Sequence, residues 1–233
     1  MKFWRNRAIV VLHLLVFEFV SGRGMAATFF GPSPYLSSAD IPAGLYSGGL
    51  PTALEDFEDR SLDFGITVSG GATSPPLLPT RTDSVDADDG SIDGSGSAGT
   101  SWFIDDLGGF AELVFTFPSP LPTAAGIVWT DGALNHDISF EAFGPGMVSL
   151  GVIGPFNFAD AFNTGQTDED RFFGVMDAGG IYAIRVSNTN AAGGLEVDHV
   201  QFGAMVPIPS AIWLFLTGLV PLVGAARRTG DNR

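Results

Sequence analysis

Apolar and polar residues alternate with a period of two through much of the second half of the chain, the spacing of strands that bury one face. Ala111–Phe117 places Leu113, Phe115 and Phe117 on one side and stops at the turn Pro118-Ser119-Pro120. Gly126–Thr130 is short and apolar, Ile138–Phe143 alternates, and Met147–Ile153 follows across Gly144-Pro145-Gly146. Phe172–Met176, Ile181–Ser187 and Leu195–Phe202 complete the set, the last two joined by Asn188–Gly194. Upstream, Phe64–Val68 alternates, and Ala53–Ser61 predicts one helical turn or an opening strand around Leu54-Glu55-Asp56-Phe57-Glu58. Short strands punctuated by Gly, Pro and Asn predict an all-β, antiparallel β-sandwich, with a closed barrel as the alternative. The pair Phe172-Phe173 must turn one ring away from the core unless its strand is covered on both faces.

The two ends depart from this pattern. Lys2, Arg5 and Arg7 precede an apolar stretch from Ala8 to Val20, with small residues at Ala26 and Ala27, so residues 1–27 read as a secretory signal peptide with a signal helix. Residues 206–233 run VPIPSAIWLFLTGLVPLVGAARRTGDNR. As a helix, the uncharged stretch 211–226 spans about 24 Å against a hydrocarbon core of about 30 Å, and Val206–Ser210 brings it near a full crossing. Arg227 and Arg228 would hold the far end on the cytoplasmic side of a transmembrane helix. Val206-Pro207-Ile208-Pro209-Ser210-Ala211, the apolar run and the arginine pair together resemble the PEP-CTERM sorting signal in its V-P-x-P-x-A form, with Ser210 where Ala is common. The resemblance implies an exported protein of a Gram-negative bacterium. Such a protein passes the export translocon and is anchored transiently in the inner membrane. An exosortase-type membrane peptidase then acts on it, and it reaches the cell surface or an exopolysaccharide-rich matrix such as a biofilm. A tail retained as a plain anchor is the alternative.

Composition narrows what lies between. Removing Glu18 and Asp231 from the chain's 26 acids leaves 24 between the two ends, against Arg60, Arg81, Arg171 and Arg185 and no Lys, a net charge near −20. Such a balance disfavours nucleic acid, whose phosphates demand Lys and Arg, and favours solubility and cation binding. The absence of Cys removes disulfides, thiol catalysis and Cys-ligated zinc. Residues 28–52 read as a Pro, Gly and Ser-rich leader, 53–205 as the β-sandwich domain, and 69–99 as a long acidic loop inside it.

That loop carries Asp86, Asp88, Asp89 and Asp93, yet aligning Gly90 and Ile92 to an EF-hand puts Val85, Ala87 and Gly96 where acids belong, so it is not one. Asp56-Phe57-Glu58-Asp59 near the domain start and Glu196-Val197-Asp198-His199-Val200 in the last strand resemble the galactose-binding-like jelly rolls of carbohydrate-binding modules. That resemblance implies a structural calcium held by Glu58 and Asp198, and a jelly-roll-like sandwich. Trp102 and Trp129 are candidates for stacking on a sugar. His136 and His199 are each flanked by Asp, but no nucleophile-elbow motif accompanies them, and His199 is expected to point outward from its strand. The expectation is a structural, adhesive or polysaccharide-binding protein without catalytic residues. A secreted hydrolase acting on polysaccharide, with paired carboxylates, is the alternative.

Overall fold

The computed structural model describes residues 26–73, 84–85, 99–105, 109–132, 137–158, 169–189 and 194–205. The signal segment 1–25, the sorting motif Val206–Ala211 with its helix and Arg227 and Arg228, most of the acidic loop, and His136 lie outside these residues. Among the described residues no helix is long and apolar enough to cross a membrane.

The described residues hold twelve strands: β1 (Thr28–Pro34), β2 (Ala53–Glu55), β3 (Thr67–Ser69), β4 (Ala72–Thr73), β5 (Trp102–Ile104), β6 (Phe110–Thr116), β7 (Ala124–Gly132), β8 (Asp137–Gly144), β9 (Val148–Phe156), β10 (Arg171–Met176), β11 (Ala183–Thr189) and β12 (Leu195–Gly203). Two single 3-10 turns, Ser38–Asp40 and Pro145–Met147, are the helical elements among them. Every strand pair is antiparallel. The larger sheet has the order β1-β10-β7-β12-β5-β4, with β2 lying beside β12 on the same side as β5, and the smaller runs β3-β6-β11-β8-β9. Two separate sheets facing each other make a sandwich rather than a closed barrel.

The core between the sheets follows the alternation. On β6, Ala111, Leu113 and Phe115 are buried and Glu112, Val114 and Thr116 face outward. Phe140 on β8 stacks on Phe173 of β10, centroids 5.5 Å apart, which ties one sheet to the other. The outward face of the smaller sheet carries a cross-strand ladder in which Arg185 on β11 bonds Glu112 on β6 at 3.3 Å and Glu141 on β8.

The larger sheet is covered on both faces. Phe172, next to Phe173, is equally buried but on the opposite side, where its ring stacks on Tyr35 at 5.7 Å. Space for that ring comes from Gly126 and Gly174, which face each other on β7 and β10: a Cβ on either would stand 2.5 Å or 2.8 Å from it. The cover comes from the segment 28–52 that sequence reads as a leader. Its first part is the edge strand β1, paired with β10, and its Tyr35, Leu45 and Tyr46 join Ala124, Val128 and Phe172 in a second apolar cluster. Pro and Gly spacing conceals this role, because residues such as Tyr35, Leu45 and Tyr46 are buried without any sustained period.

Candidate functional site

The most polar part of the interior lies on that covered outer face and is organised by β12. Leu195 and Val197 enter the core between the sheets, so Glu196 and Asp198 point the other way. Both are buried, and a buried carboxylate requires hydrogen-bond donors to offset its lost hydration. Asp198 takes them from two directions: Oδ2 accepts from Ser84 Oγ at 3.0 Å and from Val85 N at 2.9 Å, while Oδ1 accepts from its neighbour His199 N at 2.7 Å. Glu196 accepts from Ser101 Oγ.

His199 then breaks the strand's register. Its φ of 46° is left-handed, a conformation that costs a non-Gly residue about 1–3 kcal/mol. The ladder between β12 and β7 shifts between Asp198 and Gln201, as in a β-bulge. The imidazole Nδ1 lies 3.2 Å from Tyr35 Oη, and the two rings meet edge to face at 5.7 Å. His199 therefore lies on the outer face of the sheet, but instead of standing in solvent it is covered by Tyr35 and is only 4% exposed.

Glu58 and Asp198, the pair to which a calcium is ascribed by resemblance, have separate partners here. Glu58 accepts from Thr100 N, whereas Asp198 grips Ser84 and Val85. Among the described residues no group of three or more His, Asp and Glu side chains is placed to hold a metal ion. Together Glu58, Glu196 and Asp198 hold residues 84, 85, 100 and 101, which flank the run containing Asp86, Asp88, Asp89 and Asp93. They act as clamps at the two roots of that acidic run, the second half of the loop 69–99.

Glu55 makes a fourth clamp. Oε1 accepts from Phe57 N at 3.0 Å and Oε2 accepts from Asp63 N at 2.5 Å, closing the loop 55–63 on itself. Burial raises its pKa above the usual carboxylate value, and the two N–H bonds pull it part of the way back. Burial likewise raises the Tyr46 hydroxyl, which donates to the carbonyl of Gln201 at 3.1 Å.

The two tryptophans differ in burial. Trp129 on β7 is fully buried in the core between the sheets, its ring packed edge-on to Phe158 at 5.0 Å, so the expectation that it meets a sugar is corrected. Trp102 on β5 is half-buried against Phe57, 5.6 Å between centroids, and its Nε1 donates to Gly70 O at 3.0 Å, leaving it an edge of the core. Sequence reasoning missed Glu196, Ser84, Ser101 and Tyr35 as members of the polar face. The i, i+2 spacing of Glu196 and Asp198 is the one signal that could have shown the acids sharing a side.

The fold and this face define an all-β antiparallel sandwich in which the buried acids Glu55, Glu196 and Asp198 are engaged by backbone and hydroxyl donors. No protein-family model and no curated protein matches the chain. Solved structures that match include the enzymatically active domain of tailspike protein 4 of bacteriophage CBA120, with 14% identity and a TM-score of 0.38 over 69% of this chain and 22% of that one.

Proposed function

We propose that the chain is an exported surface or matrix protein. Its β-sandwich serves a structural, adhesive or polysaccharide-binding role, and an exosortase-type peptidase sorts it through the tail at 206–233. The observation that carries this reading is the order of that tail: Val206-Pro207-Ile208-Pro209-Ser210-Ala211, an uncharged run, then Arg227 and Arg228. The last strand ends at Gly203, and Met205 N is tied to Thr123 Oγ1 at 2.9 Å, so the motif begins directly where the sandwich ends. A basic and apolar segment at 1–27 supports passage through the export translocon. Transient anchoring in the inner membrane then precedes release to the surface.

The sandwich on this reading is a jelly roll. In its support, β5 to β12 fall alternately into the larger and smaller sheets, except that β8 and β9 are neighbours in one, which is the wiring of two interlocked Greek keys. A structural role rather than hydrolysis is supported by the three buried acids Glu55, Glu196 and Asp198, which each accept hydrogen bonds from backbone N–H groups or Ser hydroxyls. A hydrolytic pair needs one carboxyl kept protonated and another free to act on water or substrate.

Mass spectrometry of the protein recovered from the native cell surface tests the sorting step. The expected species ends near Val206–Ala211; a species that retains Arg227 and Arg228 overturns processing and leaves a tail anchor.

A further inference from the structure

A strand at the edge of a sheet presents unpaired backbone N–H and C=O groups unless something blunts it. Among the described residues five strands are paired on one side only, and four of them are blunted. β1 carries Pro32 and Pro34, which have no N–H to offer, while β2, β3 and β4 are three, three and two residues long. The fifth, β9, is nine residues long and pairs with β8 alone. Its side chains stand out as well: Val148 is 64% exposed, Val152 59% and the adjacent Met147 47%.

Charge singles out the same strand. The chain carries −15 overall, so close approach of two copies is opposed almost everywhere on the surface. From Gly144 to Phe158 there is no ionisable residue at all. The carboxylate directly across from Val152 on β8 is Glu141, and it is already bonded to Arg185 and to Ser149 Oγ. Two β9 edges can therefore meet without presenting bare carboxylates to each other.

We propose that β9, over Val148–Ile153, pairs antiparallel with β9 of a second copy of this chain, joining the two smaller sheets into one ten-stranded sheet. Identical strands paired about a two-fold axis are self-complementary, and the contact closes on itself to give a dimer rather than a filament. Backbone hydrogen bonds supply the attachment, and Val148 and Val152 add apolar cover at the seam. Gly154-Pro155 ends the pairing segment, since Pro155 has no N–H and the register with β8 shifts between Ile153 and Phe156; a second shift, between Ser149 and Gly151, lies inside the segment and is the irregularity that the pairing must absorb.

The test is sedimentation velocity over a concentration series on the full chain in mild detergent, comparing wild type, Val148→Glu and Val148→Thr. Wild type and Val148→Thr are expected to show a reversible dimer. Glu at a position this exposed, across from Gly144 on β8, leaves the fold intact, checked by an unchanged melting curve of the monomer, and adds a carboxylate at the seam to each copy of a chain already at −15. The dissociation constant should then rise by at least about tenfold. A wild-type chain that stays monomeric up to its solubility limit overturns the proposal. So does a dimer unmoved by Val148→Glu, which would place the contact in another part of the chain.

Discussion

β12 buries both its faces, and the two are stabilised by opposite means. Toward the smaller sheet, Leu195, Val197 and Val200 pack among Trp129, Phe140 and Phe173, where stability comes from apolar area removed from water and lost when atoms are deleted. Toward the 28–52 cover, Glu196, Asp198 and Gln201 are just as inaccessible, and there the governing quantity is whether each polar atom keeps its donor or acceptor. The apolar face determines that the sandwich exists. The polar face determines where particular loops attach to it.

Truncating the core side of this contrast should have the largest effect. Phe173→Ala removes a ring that touches Phe140, Phe156 and Phe158, and should cost about 3–5 kcal/mol in urea unfolding, with the whole sandwich lost in one transition. Asp198→Ala strikes the other face. It leaves Ser84 Oγ and Val85 N without their acceptor and should cost about 1–3 kcal/mol. Its signature should also be local: Arg81 is the one Lys or Arg between Arg60 and Arg171, so faster tryptic cleavage there under native conditions reports release of the loop root. If Asp198→Ala unfolds the protein as globally as Phe173→Ala while leaving cleavage at Arg81 unchanged, the division between the faces fails.

The smallest effect should come from Glu55, and it is seen in pH dependence. Its folded-state pKa lies above the unfolded value near 4.5, so the native state holds the proton more tightly. The contribution is fully present below that unfolded value and is lost as pH rises through the folded one. Glu55→Gln keeps one acceptor for Phe57 N or Asp63 N and cannot titrate. Its melting temperature should therefore gain on wild type as the pH rises from acid toward neutral. A constant gap between the two proteins across that range would mean that Glu55 does not titrate differently on folding.

What could be read from the chain follows one rule: strands with a clean period and clear turns were legible. β6, β8, β10, β11 and β12 fall within a few residues of their expected places because each must hide one face. β7 is longer than the apolar run Gly126–Thr130 suggests, since pairing with β10 on one side and β12 on the other draws in Ala124, Ala125, Asp131 and Gly132. β4 and β5 escaped notice, and β1 shows in the leader only as a marginal strand, because a short or Pro-containing strand takes its form from its neighbour and not from its own period. Trp129 was misjudged for a related reason: being near a strand end in sequence says nothing about which layer of the sandwich the ring enters.

By itself the sequence determined that this segment would be an antiparallel, acidic, Cys-free β-sandwich, because alternation, turn residues and charge are properties of single strands and of composition. It also carried the acids at i and i+2 on the last strand. Only the tertiary structure decided that those acids would be buried rather than solvated, since that depends on Ser84, Val85 and Ser101 arriving from distant parts of the chain to supply hydrogen bonds. It likewise decided that β9 would be an edge, because which strand lacks a neighbour depends on the order of the whole sheet.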